Sequence, residues 1–356
     1  MTDPYRHIYD GNIFQKSQCI WHENTTMDWF RSQLLCSGYE SVSKNNKTYQ
    51  KKEHRVVICL IDDITTCSAH PQSPVTRSWD QTVDVITDNR VLCPTLYRVH
   101  QLPVSWFGIY WHPSSERLWS PDRRFCLAIN RLDIKRMLIF LEYSKRLMSG
   151  LDGKVEDYVN FNCWSWNGNN DTIQGLQENF KQHWLTLKEQ DRLPYQETHD
   201  RGLPEMPYRN HNLNFDQASY HAWINLVIET YSGDSVIALS EKIFRALVTP
   251  VPWMAYSARH TVTYLESMGF DCLTDIVNHS YDEMVEKHTM TCGDKIFDWW
   301  WLANCNYKKL LSLDFNQLQI RCCQAAEHNK QMLANMRSKW TQDLNNFWKS
   351  TMSILR

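Results

Sequence analysis

The stretch Arg123–Met148, RRFCLAINRLDIKRMLIFLEYSKRLM, changes its period in the middle. RRFCLAI reads as a strand, a short apolar run opened by two arginines. From Asn130 onward the apolar residues Ile134, Leu138, Leu141 and Met148 fall at helical spacing, and Gly150 marks the stop. A strand that hands over at once to a helix is the entry of a βα nucleotide-binding unit, and it sets the fold class as α/β.

The same alternation continues downstream. YHAWINLVIET and SVIAL read as strands, EKIFRALV as a helix, VPWMAY as a strand, HTVTYLESMG as a helix stopped at Gly269, FDCL as a strand and YDEMVEKH as a helix. Such regularity predicts a parallel sheet with helices on both faces. Upstream, HRVVICLIDD gives a buried strand from Arg55 to Ile61 that ends in Asp62 and Asp63, VDVITDNR gives another, and SWFGIYWHP gives an aromatic strand or strand pair. SSERLWSPD has linker composition. The expected division is therefore an N-terminal α/β domain over 1–120 and a second domain over 121–320, the latter interrupted by a polar stretch with one helix near GLQENFKQHWLTLK. A long helix over 321–356 follows, with the stripe Leu333, Met336, Trp340, Leu344 and Phe347 packing back across the domains.

Composition bounds the function. With 356 residues, 42% of them hydrophobic, the chain can bury two cores. Lys+Arg 38 against Asp+Glu 40 leaves a formal charge of -2, so a nucleic-acid partner would need a local basic patch. The 12 cysteines form no CxxC pair and read as reduced, mostly buried small hydrophobes. No segment has the apolar length of a membrane span, and the polar N-terminus lacks the core of a signal peptide; a cytoplasmic protein is expected. Trp 16 and Tyr 16 fit an aromatic core, or a cleft that stacks sugars or bases.

Two constellations carry chemistry. Asn130 and Arg131, with Lys135 and Arg136 in the first turns of the helix, suit a diphosphate beside helix N–H groups, or else a solvated basic face. From Arg117 to Lys154 there are nine Lys/Arg against four Asp/Glu, a surplus of five. The second is Ser240-Glu241-Lys242, where a strand meets a helix. A capped helix start explains it, and so does a nucleotide whose ribose diol takes the carboxylate and whose phosphates take the ammonium.

The order of these blocks resembles the C-terminal donor domain of fucosyltransferase-like glycosyltransferases, and more closely the glycosyltransferase-like proteins of tailed bacteriophages. The blocks are FCLAINRLDIKR, ETYSGDSVIALSEK and LESMGFDCLTDIVNHSYDE, and the resemblance covers roughly residues 123 to 285. The resemblance implies a GT-B-like architecture, two Rossmann-like domains with a cleft between them. It implies a nucleotide-diphosphate sugar as donor substrate, no tightly bound cofactor and no catalytic metal. Carried over, Glu241 holds the ribose hydroxyls, Lys242 and Arg136 hold the diphosphate, and Asn130, Arg131, Glu229 and Ser240 complete the donor pocket. One departure is YSARHTV at 256–262, where the family has a glycine-rich turn; there ligand contacts would pass to Arg259 or His260, and Ser257 can cap the following helix.

The acceptor is harder to read. Asp62 and Asp63, with His70 behind them, are either strand-end turn acids or the general base for the acceptor hydroxyl. If the chain is viral it acts in the host cytoplasm, and the hydroxymethyl group of a modified pyrimidine in double-stranded DNA becomes a fitting acceptor. The basic stretch would contact phosphates and SWFGIYWH would stack bases. A fucosyltransferase-like enzyme acting on a glycan, and a catalytically silent binding module, are the alternatives.

Overall fold

The computed structural model describes residues 118–129, 134–149, 158–161, 219–229, 236–284 and 293–355. It also describes short runs at 40–42, 48–52, 54–59, 83–87, 90–91 and 98–101, and isolated positions at 32, 34–36, 38 and 182. These residues belong to two compact units. The first comprises 1–111, 234–241 and 333–356, and the second 112–233 and 242–332.

In the first unit, β1 (Glu40–Ser41), β2 (Thr48–Lys51), β3 (His54–Cys59), β4 (Val83–Thr87) and β6 (Arg98–Gln101) form one sheet in the order β1-β2-β3-β4-β6. The β3, β4 and β6 strands run parallel, whereas β1 and β2 add an antiparallel edge. Separately, β5 (Arg90–Val91) pairs antiparallel with β10 (Val236–Ile237). SVIAL therefore does form a strand, but outside the downstream parallel sheet that the alternation predicts.

The second unit carries the sheet on which the site is built. It contains β7 (Arg123–Ile129), β8 (Tyr158–Phe161), β9 (Ala222–Ile228) and β11 (Trp253–Tyr256), in the order β11-β9-β7-β8 and parallel throughout. Helix α1 (Ile134–Ser149) links β7 to β8, and α2 (Glu241–Val248) precedes β11. Such crossovers are right-handed; because these two run outward in opposite directions from the β7/β9 pair, α1 and α2 cover opposite faces. Near-continuous burial along β9 and β11 is what a doubly covered parallel sheet requires.

Three further helices follow: α3 (Thr261–Ser267), α4 (Gly293–Leu311) and α5 (Phe315–Leu355), the last of which counts in this unit only as far as Met332. The α4 helix packs on α1 through Trp300, whose ring stacks 5.1 Å from that of Tyr143 and whose Nε1 donates to the Ile139 carbonyl at 3.1 Å. Helix α3 ends in a Schellman motif. Gly269, at φ +95, donates to the Glu266 carbonyl (2.8 Å) and Phe270 donates to that of Leu265 (3.1 Å), with the Phe270 and Leu265 side chains both buried.

Two predicted elements are corrected. FDCL is a turn, because Asp271 Oδ1 accepts the Leu273 N–H at 3.0 Å and Leu273 itself is left-handed at φ +59, a conformation no strand tolerates. In the described part of the predicted helix YDEMVEKH, Tyr281–Glu283 lie in a 3-10 turn, Ser280–Glu283, and Met284 is extended at ψ 134; positions 285–292 are outside the described residues. The predicted elements SWFGIYWHP and GLQENFKQHWLTLK lie outside them as well, apart from Gln182.

Candidate functional site

In a doubly wound sheet the ligand crevice opens outside the carboxyl ends of the two strands from which the crossovers diverge. Here those strands are β7 and β9. Glu229 directly follows β9, and both sides of its backbone are held. Its N–H donates to the Tyr256 carbonyl at 3.0 Å, and its carbonyl accepts the Lys135 ammonium at 2.7 Å. Lys135 lies in the first turn of α1, so this bond ties the helix after β7 to the end of β9, across the point of divergence.

The next residue, Arg136, is 5% exposed, and Glu229 is fully buried. A buried ion costs several kcal/mol unless neighbours compensate it, so a buried guanidinium in the first turn of α1 and a buried carboxylate just after β9 make this edge the candidate site.

Helix α2 brings a third charge to this edge. It runs back against the strands into β11, so its first turn lies at the carboxyl end of the sheet. The apolar side chains Ile243, Phe244, Leu247 and Val248 bury the helix, and Ser240 just before it is buried as well. Glu241 is its first residue and Lys242 is half-buried. The helix closes when Thr249 turns its hydroxyl back onto the Arg245 carbonyl at 2.8 Å, ahead of Pro250.

The turn after β11, Ser257–His260, completes the edge. His260 sits at φ 62, a left-handed conformation that a non-glycine residue keeps only when its surroundings over-determine it. They do: its N–H donates to the Asp282 carbonyl at 2.8 Å, and its Nδ1 lies 3.2 Å from Glu283 Oε1. Ser257 does not cap α3. Its hydroxyl points at the Ala258 carbonyl (3.5 Å), while the Asp282 carboxylate accepts the N–H groups of Val262 (2.9 Å) and Thr263 (3.0 Å) and the Thr263 hydroxyl (3.1 Å). Burial holds the Asp282 carboxyl above its usual range, against the pull of these bonds. On the other side of the turn the buried ammonium of Lys295, from α4, donates to the Ser257 carbonyl at 3.1 Å and lies 5.4 Å from the Tyr256 ring centroid.

No protein-family model matches the chain, and no curated protein does. The solved structures similar to it include a trehalose-6-phosphate structure from E. coli bound with UDP-2-fluoro glucose, with 9% identity and a TM-score of 0.39 over 98% of this chain and 80% of that one. Trehalose-6-phosphate synthase OtsA gives 10% identity and a TM-score of 0.41 over 99% and 80%, and apo OtsA gives 9% and 0.39 over 99% and 81%. At this level of similarity the chemistry of the site has to come from this chain's own residues.

Of the residues singled out in the sequence, Arg136 and Lys242 lie in the first turns of α1 and α2 and Glu229 directly follows β9, whereas Ser240 and Glu241 belong to the first unit. Asn130, Arg131, Asp62, Asp63 and His70 lie outside the described residues. The sequence reading missed Lys295, a lone lysine before an aromatic run, and Asp282, whose partners lie about 20 positions upstream. Among the described residues no group of three or more His, Cys, Asp or Glu side chains could hold a metal ion, and no helix is long and apolar enough to cross a membrane. Cys36, Cys126, Cys272, Cys305, Cys322 and Cys323 are free; burial pushes the thiols of Cys272 and Cys322 far up, away from the reactive thiolate.

Proposed function

We propose that the protein is a GT-B-type glycosyltransferase that uses a nucleotide-diphosphate sugar. The observation that carries the reading is the bond from Lys135 to the Glu229 carbonyl, which closes the divergence point of a doubly wound sheet beside the buried Arg136 and the α2 start. A diphosphate there would meet cations from two helices, Arg136 on α1 and Lys242 on α2, with Asn130 and Arg131 at the β7–α1 junction. Glu241 would take the ribose hydroxyls, and Glu229 and Ser240 would shape the sugar side. These cations neutralise the charge that develops on the leaving diphosphate, which is the main task of transfer without a metal.

Water-excluded positioning of the donor leaves one proton to manage, that of the acceptor hydroxyl. Asp62 and Asp63 are the proposed general bases. The proposed acceptor is a hydroxymethylated pyrimidine in phage DNA, a primary hydroxyl that becomes reachable once the base is extruded.

A melting panel with UDP, GDP, ADP, CDP and TDP and their sugars tests the donor site. One nucleotide should raise the melting temperature, and Lys242→Ala should abolish the rise; no shift with any nucleotide overturns the reading. Incubating the protein with hydroxymethylcytosine duplex and the stabilising nucleotide sugar should add one sugar mass to the DNA. Transfer to an oligosaccharide instead would move the acceptor to glycans.

A further inference from the structure

We infer that Arg259 reads the charged part of the ligand, through a guanidinium presented by the turn after β11. The inference rests on the donor-site reading above and adds a residue to it. The turn is adjacent to the crevice: Tyr256 is the register partner of Ile228, and the Tyr256 carbonyl accepts the Glu229 N–H.

Three observations lead to Arg259. First, the Asp282 carboxylate already accepts the N–H groups of Val262 and Thr263 and the Asp282 carbonyl accepts that of His260, so three backbone donors at the start of α3 are taken. A side-chain cation is then the strongest group the turn can offer an anion. Second, the strained His260 and the bond from its N–H to the Asp282 carbonyl fix the direction in which the chain leaves β11, and this fixes the base of the Arg259 side chain. Third, the guanidinium is held without being satisfied. Its nearest carboxylate oxygen, Glu283 Oε2, is 3.7 Å from a terminal nitrogen, beyond hydrogen-bond range, and its Nε–H is buried with no acceptor. An unmet buried donor is costly, and a phosphate or pyrophosphate bound bidentately at the exposed terminal nitrogens would offset that cost through charge-assisted bonds. With its side chain 39% exposed, the group remains open to a ligand.

Isothermal titration with inorganic pyrophosphate, with the nucleoside diphosphate that most stabilises the wild-type protein, and with the matching nucleoside tests this. Arg259→Gln should weaken both diphosphates about 10- to 100-fold and leave nucleoside affinity unchanged, because only charge-assisted bonds are lost. If Arg259→Gln lowers the unliganded melting temperature, Arg259→Lys makes the same comparison with stem and charge kept, and should still weaken diphosphates several-fold by losing the fork. Unchanged diphosphate affinity, or an equal loss for diphosphate and nucleoside, overturns the inference and leaves the donor-site reading standing. Absence of nucleotide binding to the wild-type protein brings down the donor-site reading itself.

Discussion

His279 is fully buried, yet both of its ring nitrogens have work. Nε2 lies 2.9 Å from the Cys272 carbonyl and so must donate to it; Nδ1 then accepts the Tyr281 hydroxyl at 2.6 Å, and that oxygen accepts the Ala255 N–H of β11 at 2.9 Å. The chain of bonds needs a neutral imidazole. Burial, partly opposed by the bond to Cys272, lowers its pKa to about 4, whereas in the unfolded chain it takes a proton near 6.5. The unfolded state therefore binds more protons between these values. The contribution of His279 is fully present above 6.5 and is lost as pH falls towards 4, on the order of 3 kcal/mol in all. Urea midpoints measured from pH 7 to pH 4.5 should fall steeply in the wild type and less steeply in His279→Gln. Asp282→Ala should cost about 1–2 kcal/mol by uncapping α3. Gly269→Ala should cost about 1 kcal/mol or more, because its φ is positive and a Cβ there would meet Met332 Cε at 3.0 Å. The block HSYDE stands out in the sequence, but its tasks do not: a carboxylate that caps a helix begun 20 positions earlier leaves no local spacing to recognise.

Elements with a clean period were legible, and those decided by side-chain bonds were not. The change of period at Asn130 gives β7 and α1, and EKIFRALV coincides with α2, because their apolar faces alone settle the local structure. FDCL has strand-like residues, yet Asp271 is engaged elsewhere. Arg321 of α5 binds its carboxylate bidentately at 2.8 and 2.9 Å and also reaches Asp275 at 2.7 Å; burial would raise the Asp271 pKa, but these bonds and the guanidinium charge lower it. Asn329, one turn pair further along α5, donates to the carbonyls of Leu247 and Asp271 and accepts the Asp271 N–H, all while buried. Asn329→Ala strands those groups and should cost about 2 kcal/mol or more, whereas Arg321→Ala, whose partners are half in water, should cost less. The aromatic surplus divides as well: Trp299 and Trp300 are core, while Trp301 is 54% exposed. Trp300→Ala should destabilise by about 3–5 kcal/mol in chemical denaturation, since it removes a fully buried ring that stacks on Tyr143 and bonds the Ile139 carbonyl of α1.

For the whole molecule the even charge balance said only that any anion site must be local, and the positive side chains at the sheet edge agree with that. The first unit draws the segments 234–241 and 333–356 from far along the chain, and contacts between distant segments leave no mark in local composition. This membership has a consequence for synthesis. A ribosome that has finished residue 332 has delivered every piece of the second unit, whereas the first still lacks the segment beginning at Leu333. The unit made first in sequence is thus the last that can be completed, even though its five-stranded sheet is drawn from residues 40–101 alone.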